Sequence, residues 1–535
     1  MYEKNFRIKI LTFVLILLTF LLLFRLYYIQ IINGEIYSQK AVQQKIKSFN
    51  IGKKRGEIFD RNLIPFTDRS LHEYIYVVPG MIVNKDYVSK FLSKLTGNSI
   101  NDIKKELCSK KDFLKYDYTG KYQGKLPVGV YMLSIPLRYD TDTLARHVIG
   151  HIGDKNMGLE KTFDKILTTG GNESIAVFKD GNNNDYLKGL GLKIRYSSDN
   201  IYGIKTTLDY HIQKAVENIL DRNLINGAAV VIDVKNGDIL AMASRPNYDQ
   251  NKIQEYIGSK NEELINKALM AYPPGSIFKI IVASAALEKG KVDLKDEFVD
   301  TSSYEINGVV FHNFKNESNG IINIEKAFEV SSNTTFIKIG EATGGDNIIK
   351  VANKFGIASN NNLPLEEENG MLPSIEDTYG AGIGNLSIGQ GKVLITPLQA
   401  ADMAATIADG GIRHVPNLVK AIVDENGKEV EDLYKEKSYR VISKSTSEII
   451  KKMMRDVVLN GTGKNAETQY GSAGKTGSAE VSKDLNIYHA WFTGFIPYET
   501  PRYAISIFVK NGDIGGVKAA PIFRQIADEI MKYYR

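Results

Sequence analysis

The sequence is almost free of cysteine. Its 535 residues include a single cysteine, Cys108, which excludes an internal disulfide framework and every multi-cysteine zinc or iron–sulfur site. We predict neither a metal ion nor another cofactor. The shortage of cysteine does not identify the compartment, because a chain with so few cysteines is compatible with either side of a membrane.

Neither sign of charge predominates. The chain has 68 Lys and Arg against 62 Asp and Glu, a formal net charge of +6. It lacks the arginine-rich basic face of nucleic-acid-binding proteins, so no nucleic-acid partner is expected. Apolar residues make up 43% and charged residues 24%, which excludes wholesale disorder, collagen and a polytopic membrane protein. The length predicts three or four domains, or one large domain with a smaller companion.

Long apolar runs are scarce, and the one present lies near the N-terminus. Ile10–Phe24 would span about 22 Å as a helix, short of the roughly 30 Å hydrocarbon core. Lys9 and Arg25 can snorkel, and residues 26–29 continue the run with interfacial aromatics. We predict an uncleaved membrane anchor over residues 8–29. A cleaved signal peptide and a buried core helix are the alternatives, but no small-x-small cleavage site follows.

Two regions with different sequence patterns follow the apolar run. Residues 33–199 mix short strand-like runs with Gly/Asn-rich turns and carry no catalytic constellation. Within them, the block Arg55–Asn62 favours a salt-bridged structural corner over a functional site. From about Ile204 the pattern changes to regular helices and strands. Asp209 is a plausible N-cap there, and Asn236-Gly237 between two apolar runs indicates a hairpin.

The C-terminal part predicts an antiparallel sheet with helices on its faces, an α+β fold. Apolar periodicity and helix-boundary residues define these segments. The predicted helices are 276–289, 324–330, 334–341, 345–355, 397–409, 445–459 and 520–533, and the predicted strands are 471–481, 487–497 and 502–510.

The first of these helices contains a candidate nucleophile and base. It begins with Ser276, and Lys279 is its only charged residue before Glu288. Nearly every face is apolar, so the helix should be buried, and the spacing places hydroxyl and amine one turn apart. Burial should lower the pKa of Lys279 towards neutrality, which lets the amine act as a base. A capping serine and a snorkelling lysine are the alternative, and the pattern alone is weak.

Two further segments strengthen the catalytic interpretation. Ser331-Ser332-Asn333 lies between predicted helices, and Lys475-Thr476-Gly477 lies on a predicted strand. Ser-x-x-Lys, Ser-x-Asn and Lys-Thr-Gly in this order are the signature of penicillin-recognising serine acyl transferases.

Over nearly its full length the chain resembles the class B penicillin-binding proteins, the monofunctional peptidoglycan D,D-transpeptidases. Besides the three motifs, the matching blocks are Arg55–Asn62 (Arg-Gly-x-Ile-x-Asp-Arg-Asn), Ser387–Gly391, Thr396–Gln399 and His489–Phe492. The resemblance implies a penicillin-binding-protein/β-lactamase-like transpeptidase domain after a single transmembrane helix and an elongated, non-catalytic pedestal. The implied domains are 1–32 (cytoplasmic tail and anchor), 33–200 (pedestal or dimerisation-type domain) and 201–535 (transpeptidase).

The resemblance also implies a role for each motif residue. Ser276 would be the acylated nucleophile and Lys279 its base. Ser331 would relay the proton to the leaving amine, and Asn333 would bind the donor peptide's amide. The segment Lys475-Thr476-Gly477-Ser478 would bind substrate, with Lys475, Thr476 and Ser478 holding the terminal carboxylate. The N–H groups of Ser276 and Ser478 would form the oxyanion hole.

The partners follow from the same resemblance. The substrates would be peptidoglycan stem peptides on a lipid-linked precursor, with β-lactams as covalent inhibitors. A membrane-embedded glycosyltransferase would polymerise the strands. Such a substrate lies outside the cell, so we predict a single-pass membrane protein with a cytoplasmic N-terminus and an extracellular catalytic domain.

Three other functions and one metal site are alternatives to this interpretation. A bifunctional class A enzyme is disfavoured because residues 33–199 lack the Glu-Asp-x-x-Phe element of a glycosyltransferase. A β-lactamase needs a deacylating base, and Glu366–Asn369 lacks the Glu-x-x-Leu-Asn arrangement. A catalytically silent scaffold or β-lactam sensor would have the same fold, but all the named polar residues are intact. A metal site at Asp484 and His489 is disfavoured, because a lone histidine on a strand is more often structural.

Overall fold

The computed structural model describes residues 2–35, 37, 46–109, 113–153, 155–178, 193–196, 200–482 and 487–533. It divides the chain into two compact units. The first comprises residues 1–54, 70–137 and 170–199, and the second comprises residues 55–69, 138–169 and 200–535. The domain limits inferred from the sequence stay a prediction. Two segments of the range 33–200, residues 55–69 and 138–169, are part of the second unit.

The helices and strands of the described residues are numbered in chain order. They are α1 (Tyr2–Tyr27), β1 (Ile46–Lys53), β2 (Ile58–Phe59), β3 (Ser70–Val77), α2 (Lys85–Thr96), α3 (Ile100–Cys108), β4 (Leu114–Tyr118), β5 (Val130–Leu137), α4 (Arg146–Ile149), α5 (Gly158–Thr162), α6 (Asp164–Leu167), β6 (Asn172–Phe178), β7 (Lys193–Tyr196), β8 (Tyr202–Thr206), α7 (Tyr210–Arg222), β9 (Gly227–Asp233), β10 (Ile239–Arg245), α8 (Lys279–Glu288), β11 (Phe298–Asp300), β12 (Ser303–Ile306), β13 (Val309–His312), β14 (Gly320–Ile322), α9 (Ile324–Glu329), α10 (Asn333–Thr343), α11 (Gly345–Lys354), α12 (Ala381–Ser387), α13 (Pro397–Ala408), β15 (Ile412–His414), β16 (Val419–Asp424), β17 (Glu429–Asp432), β18 (Ser438–Arg440), α14 (Lys444–Leu459), β19 (Ala473–Ser482), β20 (Ile487–Ile496), β21 (Tyr503–Val509) and α15 (Gly515–Tyr533).

The first unit contains the N-terminal helix and two small antiparallel sheets. Helix α1 continues into a π-helical turn, Tyr28–Ile32, and the segment Lys4–Ile32 is long and apolar enough to cross a membrane. One sheet has the order β1-β6-β7 and the other β4-β3-β5. Helices α2 and α3 share one apolar core with the second sheet, built around Ile75, Leu92 and Ile103.

A five-stranded antiparallel sheet with the order β10-β9-β21-β20-β19 is the centre of the second unit. Successive side chains of strand β9 point to opposite faces of the sheet. Each face packs into a different apolar core, so the strand is buried on both faces. Val230 packs into the core that contains Leu398 of α13. Val231 packs into the core that contains Phe523 of α15 and Val216 of α7. Helices therefore cover both faces of the sheet, and the predicted α+β fold is confirmed.

The predicted helices and strands of this unit are confirmed to within two residues, with two exceptions. The helix predicted from residue 276 begins as the 3-10 turn Gly275–Phe278, and α8 itself begins at Lys279. The last helix begins at Gly515, not at residue 520, and continues through Pro521. Its first two residues are glycines that lie against other backbone. A Cβ at Gly515 would come within 2.4 Å of Gly477 O and Trp491 O, and one at Gly516 within 2.4 Å of Thr462 O. This close packing, which no periodicity indicates, places the helix start beside β19 and β20.

Two local predictions in this unit are also confirmed. The Asp209 side chain accepts hydrogen bonds from the N–H groups of His211 (3.0 Å) and Ile212 (3.2 Å) and so caps α7. Arg55 lies in a salt-bridged corner, because its guanidinium contacts Glu160 and Asp164, each at 2.7 Å. Glu160 is fully buried, so this corner is structural.

Candidate active site

Ser276 lies in a single 3-10 turn, Gly275–Phe278, that leads directly into α8. Residues three apart are eclipsed in a 3-10 helix, so Ser276 and Lys279 lie on the same side of the chain. Lys279 is 0% exposed, whereas Ser276 is half-buried. Within the described part of the chain, the Ser276 hydroxyl makes no hydrogen bond. It is therefore available to a ligand.

The amine of Lys279 lies against the Ser331-Ser332-Asn333 segment. Its Nζ donates to Ser331 O (2.6 Å), Asn333 Oδ1 (2.8 Å) and, more weakly, Ser331 Oγ (3.4 Å). Burial is the main reason that the pKa of Lys279 lies well below its usual range. The charge of Lys475 lowers this pKa further, and that of Asp300 opposes the shift. The predicted buried, basic amine is thus present.

Ser331 occupies a turn between α9 and α10. Its φ of +62° lies in the left-handed region, which is unfavourable for a residue with a Cβ. Ser332 caps α10, because its Oγ accepts from Thr335 N at 3.1 Å. The turn directs the hydroxyl of Ser331 away from the helix cap and towards the two lysines.

Lys475 approaches Ser331 from strand β19. Its Nζ donates to Ser331 Oγ (2.8 Å) and to Thr476 O (3.2 Å). The side chain is 0% exposed, and burial lowers its pKa to about 7. One hydroxyl therefore lies between two buried amines, an arrangement in which both amines cannot easily be charged together.

Close packing brings the start of α8 and the edge strand β19 together. A Cβ on Gly275 would come within 2.9 Å of Ser478 O, and one on Gly477 within 2.7 Å of Pro274 O. Trp491 Nε1 on the neighbouring strand donates to Pro273 O at 3.0 Å. Side chains at either glycine would separate Ser276 from the strand, so this contact depends on their absence.

Two hydroxyls extend the site along β19. Thr476 Oγ1 lies 2.6 Å from Thr462 Oγ1, and Ser478 Oγ accepts from Gly515 N at 3.1 Å. Thr462 is exposed and Ser478 half-buried, so the row is open on one side. Together with Lys475, these hydroxyls suit a carboxylate, which needs a cation and several donors.

The structure brings most of the predicted site residues into direct contact. Hydrogen bonds join Lys279, Ser331, Asn333 and Lys475, and the glycine contacts place Ser276 and Ser478 at the same junction. The contact of Trp491 with Pro273 O was not predicted, although Trp491 belongs to the matching block His489–Phe492. Sequence reasoning missed three residues that hold these groups: Asp300, Asn313 and Thr462. Only Thr462, in the visible tripeptide Gly-Thr-Gly, carried any local signal.

His489 lies in packed, hydrogen-bonded surroundings. Its Nδ1 accepts from Asn511 N (3.1 Å), and its ring lies edge-on to Tyr272 and Phe508. Burial, with Lys510 nearby, lowers its pKa to about 4. Asp484, its suggested metal-binding partner, lies outside the described residues. Among those described, no group of three His, Cys, Asp or Glu could hold a metal ion.

The chemistry that this arrangement supports is acyl transfer through serine. A hydroxyl at a helix start has a basic amine one turn away. A second hydroxyl bridges to another amine, and an edge strand offers backbone donors. Nucleophile, base and donors are the parts that serine acyl transfer needs.

Comparison with known proteins agrees with this chemistry. The family model described as "Penicillin binding protein transpeptidase domain" matches residues 227–528. The chain is 30% identical to Stage V sporulation protein D of Bacillus subtilis, over 94% of this chain and 82% of that protein. It is 26% identical to peptidoglycan D,D-transpeptidase MrdA of Haemophilus influenzae, over 96% of this chain and 90% of that protein. Among solved structures it resembles the ceftriaxone acyl-enzyme complex of penicillin-binding protein A from Mycobacterium tuberculosis. That likeness has a TM-score of 0.64 and 26% identity, and covers 74% of this chain and 93% of the other.

Proposed function

This chain belongs to the family of penicillin-binding protein transpeptidases, and from that premise we propose how its residues work and where. It is a class B penicillin-binding protein, a serine-type peptidoglycan D,D-transpeptidase of cell-wall or spore synthesis. The observation that carries the proposal is the hydroxyl of Ser331 between the buried amines of Lys279 and Lys475, with Ser276 one turn before Lys279.

Acylation begins at Ser276. Its Oγ attacks the carbonyl carbon of the penultimate D-Ala, and the neutral amine of Lys279 takes the hydroxyl proton. As the C–N bond breaks, Ser331 Oγ passes a proton from the lysine to the leaving D-Ala amine. The contact of Lys279 Nζ with Ser331 Oγ (3.4 Å) supports this path. The products are an acyl-serine ester and free D-Ala.

The donor's terminal carboxylate binds at Lys475, Thr476 and Ser478. Burial lowers the pKa of Lys475 in the free site, and an arriving carboxylate favours its charged form. Substrate binding thus supplies the counter-charge that the site lacks. The side chain of Asn333 binds the donor's amide. Its Nδ2 donates one hydrogen to His312 O at 2.9 Å. The second hydrogen of that amide nitrogen is left for the substrate.

The N–H groups of Ser276 and Ser478 form the oxyanion hole. Ser276 lies in the first turn of its helix, where N–H groups lack helical partners. Ser478 belongs to the edge strand β19. The contact of Gly275 with Ser478 O places the two backbones side by side. Donors fixed before the reaction stabilise the developing oxyanion without reorganisation.

The second half-reaction forms the cross-link. An acceptor amine attacks the acyl-serine, an amide forms, and Ser276 regains its proton. A β-lactam enters the first half-reaction and leaves an acyl group that no acceptor removes. Sequence reasoning found no deacylating glutamate, so we expect a long-lived penicilloyl-enzyme, unlike that of a β-lactamase.

The N-terminal helix anchors the enzyme in the cell membrane. Lys4–Ile32 is long and apolar enough to span the bilayer, and the lipid-linked precursor places the catalytic unit outside with the N-terminus in the cytoplasm. A membrane-embedded glycosyltransferase polymerises the strands that this enzyme cross-links. The first unit works as the pedestal, because the candidate catalytic residues all belong to the second.

Three measurements on the full chain test this function. Lipid-linked pentapeptide supplied with a polymerising glycosyltransferase should become cross-linked with release of D-Ala. Fluorescent penicillin should label the chain, and the label should persist for many minutes. Nitrocefin should be turned over slowly. Rapid turnover of nitrocefin would instead indicate a β-lactamase, and labelling without any cross-linking would indicate a sensor.

A further inference from the structure

Two buried polar residues, Asp300 and Asn313, lie behind the Ser331-Ser332-Asn333 turn and have no part in the reaction steps above. Asp300 ends β11 and is 1% exposed, and Asn313 follows β13 and is 6% exposed. Buried polar groups are costly unless every one is hydrogen-bonded. Their hydrogen-bond partners therefore indicate what they hold.

The carboxylate of Asp300 gathers the hydroxyls at the start of α10. Its Oδ1 accepts from Ser332 Oγ, from Thr334 Oγ1 (2.7 Å) and from Thr335 Oγ1 (3.1 Å). Its Oδ2 accepts from the backbone N–H (2.9 Å) and side-chain amide (2.6 Å) of Asn319. The carboxylate thus ties Ser332, the residue after Ser331, to the end of β11.

Asn313 holds the backbone of the same turn. Its Oδ1 accepts from Asn333 N (2.7 Å) and Thr334 N (3.1 Å), and its Nδ2 donates to Asp300 Oδ1 (3.0 Å). Asp300 and Asn313 therefore form one buried pair. Asp300 accepts hydrogen bonds from the side chains that follow Ser331, and Asn313 accepts hydrogen bonds from the backbone there.

The backbone of Ser331 is itself held by α9. Its φ of +62° is that of a left-handed helix cap, since Ser331 N donates to Phe328 O (3.2 Å) and Ser332 N to Ala327 O (2.9 Å). The same backbone places Ser331 Oγ 2.8 Å from Lys475 Nζ and 3.4 Å from Lys279 Nζ. The pair fixes the residues that follow, Ser332 and Asn333, so without it the turn would shift and move the hydroxyl away from both amines.

We propose that Asp300 and Asn313 are positioning residues, which hold Ser331 and Asn333 in the geometry that acylation requires. This inference rests on the proposed function, since it assigns the support of the same site. The competing explanation is that the pair merely caps α10 and stabilises the fold. A readout other than stability separates the two.

The pH dependence of acylation is such a readout. The charged groups that face Lys279 are Lys475 from β19 and Asp300 from β11. The other neighbours are uncharged: Ser331, Asn333 and the ring of Phe336. Burial alone would raise the pKa of Asp300, but hydrogen bonds from Ser332, Asn319, Thr334 and Asn313 lower it to about 2. Asp300 is thus ionised at neutral pH. Its removal should lower the pKa of Lys279 further.

The test compares Asp300→Asn with a matched control, Glu288→Gln, in full-length chains solubilised from membranes. Glu288 also gathers hydroxyls at a helix start, accepting from Ser443 Oγ (2.8 Å) and Thr446 Oγ1 (2.7 Å) of α14. The acylation rate constant with fluorescent penicillin is measured from pH 5 to 9, with thermal unfolding alongside. We expect Asp300→Asn to acylate about 10²-fold more slowly, the effect of misplaced groups. Its acid limb should move to lower pH. Glu288→Gln should acylate within a few-fold of wild type.

Asn313→Ala keeps the test decisive if Asp300→Asn fails to fold. It removes four hydrogen bonds to backbone, two of them to the turn, and no charge. Acylation should therefore slow by about 10–10²-fold with the acid limb unmoved. Wild-type rates in the folded variants would overturn the proposal. So would a loss that matches Glu288→Gln in size with no change in pH dependence. A wild-type chain that penicillin does not label would contradict the proposed function and this inference together.

Discussion

At the scale of single residues, the active site depends on which of two buried lysines is protonated. Lys279 and Lys475 are both 0% exposed, and both donate to Ser331 Oγ. Two ammonium groups this close in a dry site would repel each other strongly. The free site therefore favours a neutral Lys279, the form that can accept the proton of Ser276.

Ser276→Ala should abolish covalent labelling by penicillin while the chain stays folded. The substitution removes the only atom that the acyl group can bond to, and the hydroxyl makes no hydrogen bond among the described residues, so little stability is lost. Ser284→Ala on the same helix is the matched control, because Ser284 is fully buried and lies outside the site. Gel fluorescence after incubation measures both variants. Robust labelling of Ser276→Ala would remove this serine from its role.

Lys279→Met should slow acylation by about 10²–10⁴-fold, the usual contribution of a general base. Lys267→Met is its control, because Lys267 is an equally buried lysine with a lowered pKa. Lys267 bonds Glu262 O (3.1 Å), away from Ser331. Stopped-flow or quench-flow labelling gives the rates. If Lys279→Met stays within a few-fold of wild type, the amine is not the base.

Acylation of the wild-type chain should fall as the pH falls. The neutral form of Lys279 is the reactive one, and burial lowers its pKa well below the ordinary value. The rate is therefore full above the lowered pKa and is lost as the pH drops through it. A rate profile from pH 9 down to the lowest pH at which the chain stays folded should show this acid limb. A rate that stays level over that whole range would contradict a titrating base.

At the scale of elements, the site is a junction between the start of α8 and the edge strand β19. Neither element contains the whole site. The 3-10 turn before α8 supplies Ser276, and α8 supplies Lys279. The strand supplies Lys475 and Ser478, and the turn before α10 supplies Ser331. The rate of catalysis should therefore depend on the distance between helix and strand.

Gly477→Ala should separate the two elements. Its Cβ would come within 2.7 Å of Pro274 O and 3.0 Å of Ile277 Cγ2, so strand or helix must shift. A displacement of about 1 Å at reacting groups costs about 10²-fold in rate. We expect a loss of that size in the rate of penicillin acylation. Gly153→Ala is the control, because its Cβ would meet nothing closer than 3.9 Å. Wild-type acylation by Gly477→Ala would show that the close contact is unnecessary.

At the scale of the whole molecule, the chain combines two compact units. The unit that contains the apolar helix Lys4–Ile32 holds none of the candidate catalytic residues. Confinement to a membrane raises the effective concentration of one membrane protein near another. Attachment and chemistry are therefore separable.

A chain that starts near residue 40 should leave the membrane fraction, still label with penicillin, and fail to support growth or sporulation in a null strain. Labelling should persist because the site residues lie in the second unit, and function should fail because the enzyme no longer stays beside its polymerase. An unrelated single span in place of residues 8–29 should restore membrane placement and show which segment carries recognition. Full complementation by the untethered chain would contradict this division of tasks.

The motif residues and most element boundaries could be predicted from the sequence. Lys279 lies in an apolar segment that already implies burial, and local periodicity located all but two of the predicted helices and strands to within two residues. Those features depend on neighbours in the chain, so a linear pattern contains them. The start of α15 did not follow, because Gly515 fits against Gly477 and Trp491 from distant strands.

The geometry of the site was decided by tertiary structure alone. Nothing near Asp300, Asn313 or Thr462 in the chain relates them to Ser331 or Thr476, yet folding places each within hydrogen-bonding distance of these residues or their turn. The sequence by itself determined which side chains could react, because burial and spacing along a helix are local. Tertiary structure decided how they meet, because the hydrogen bond from Lys475 to Ser331 and the contact between Gly275 and β19 join segments that are distant in the chain.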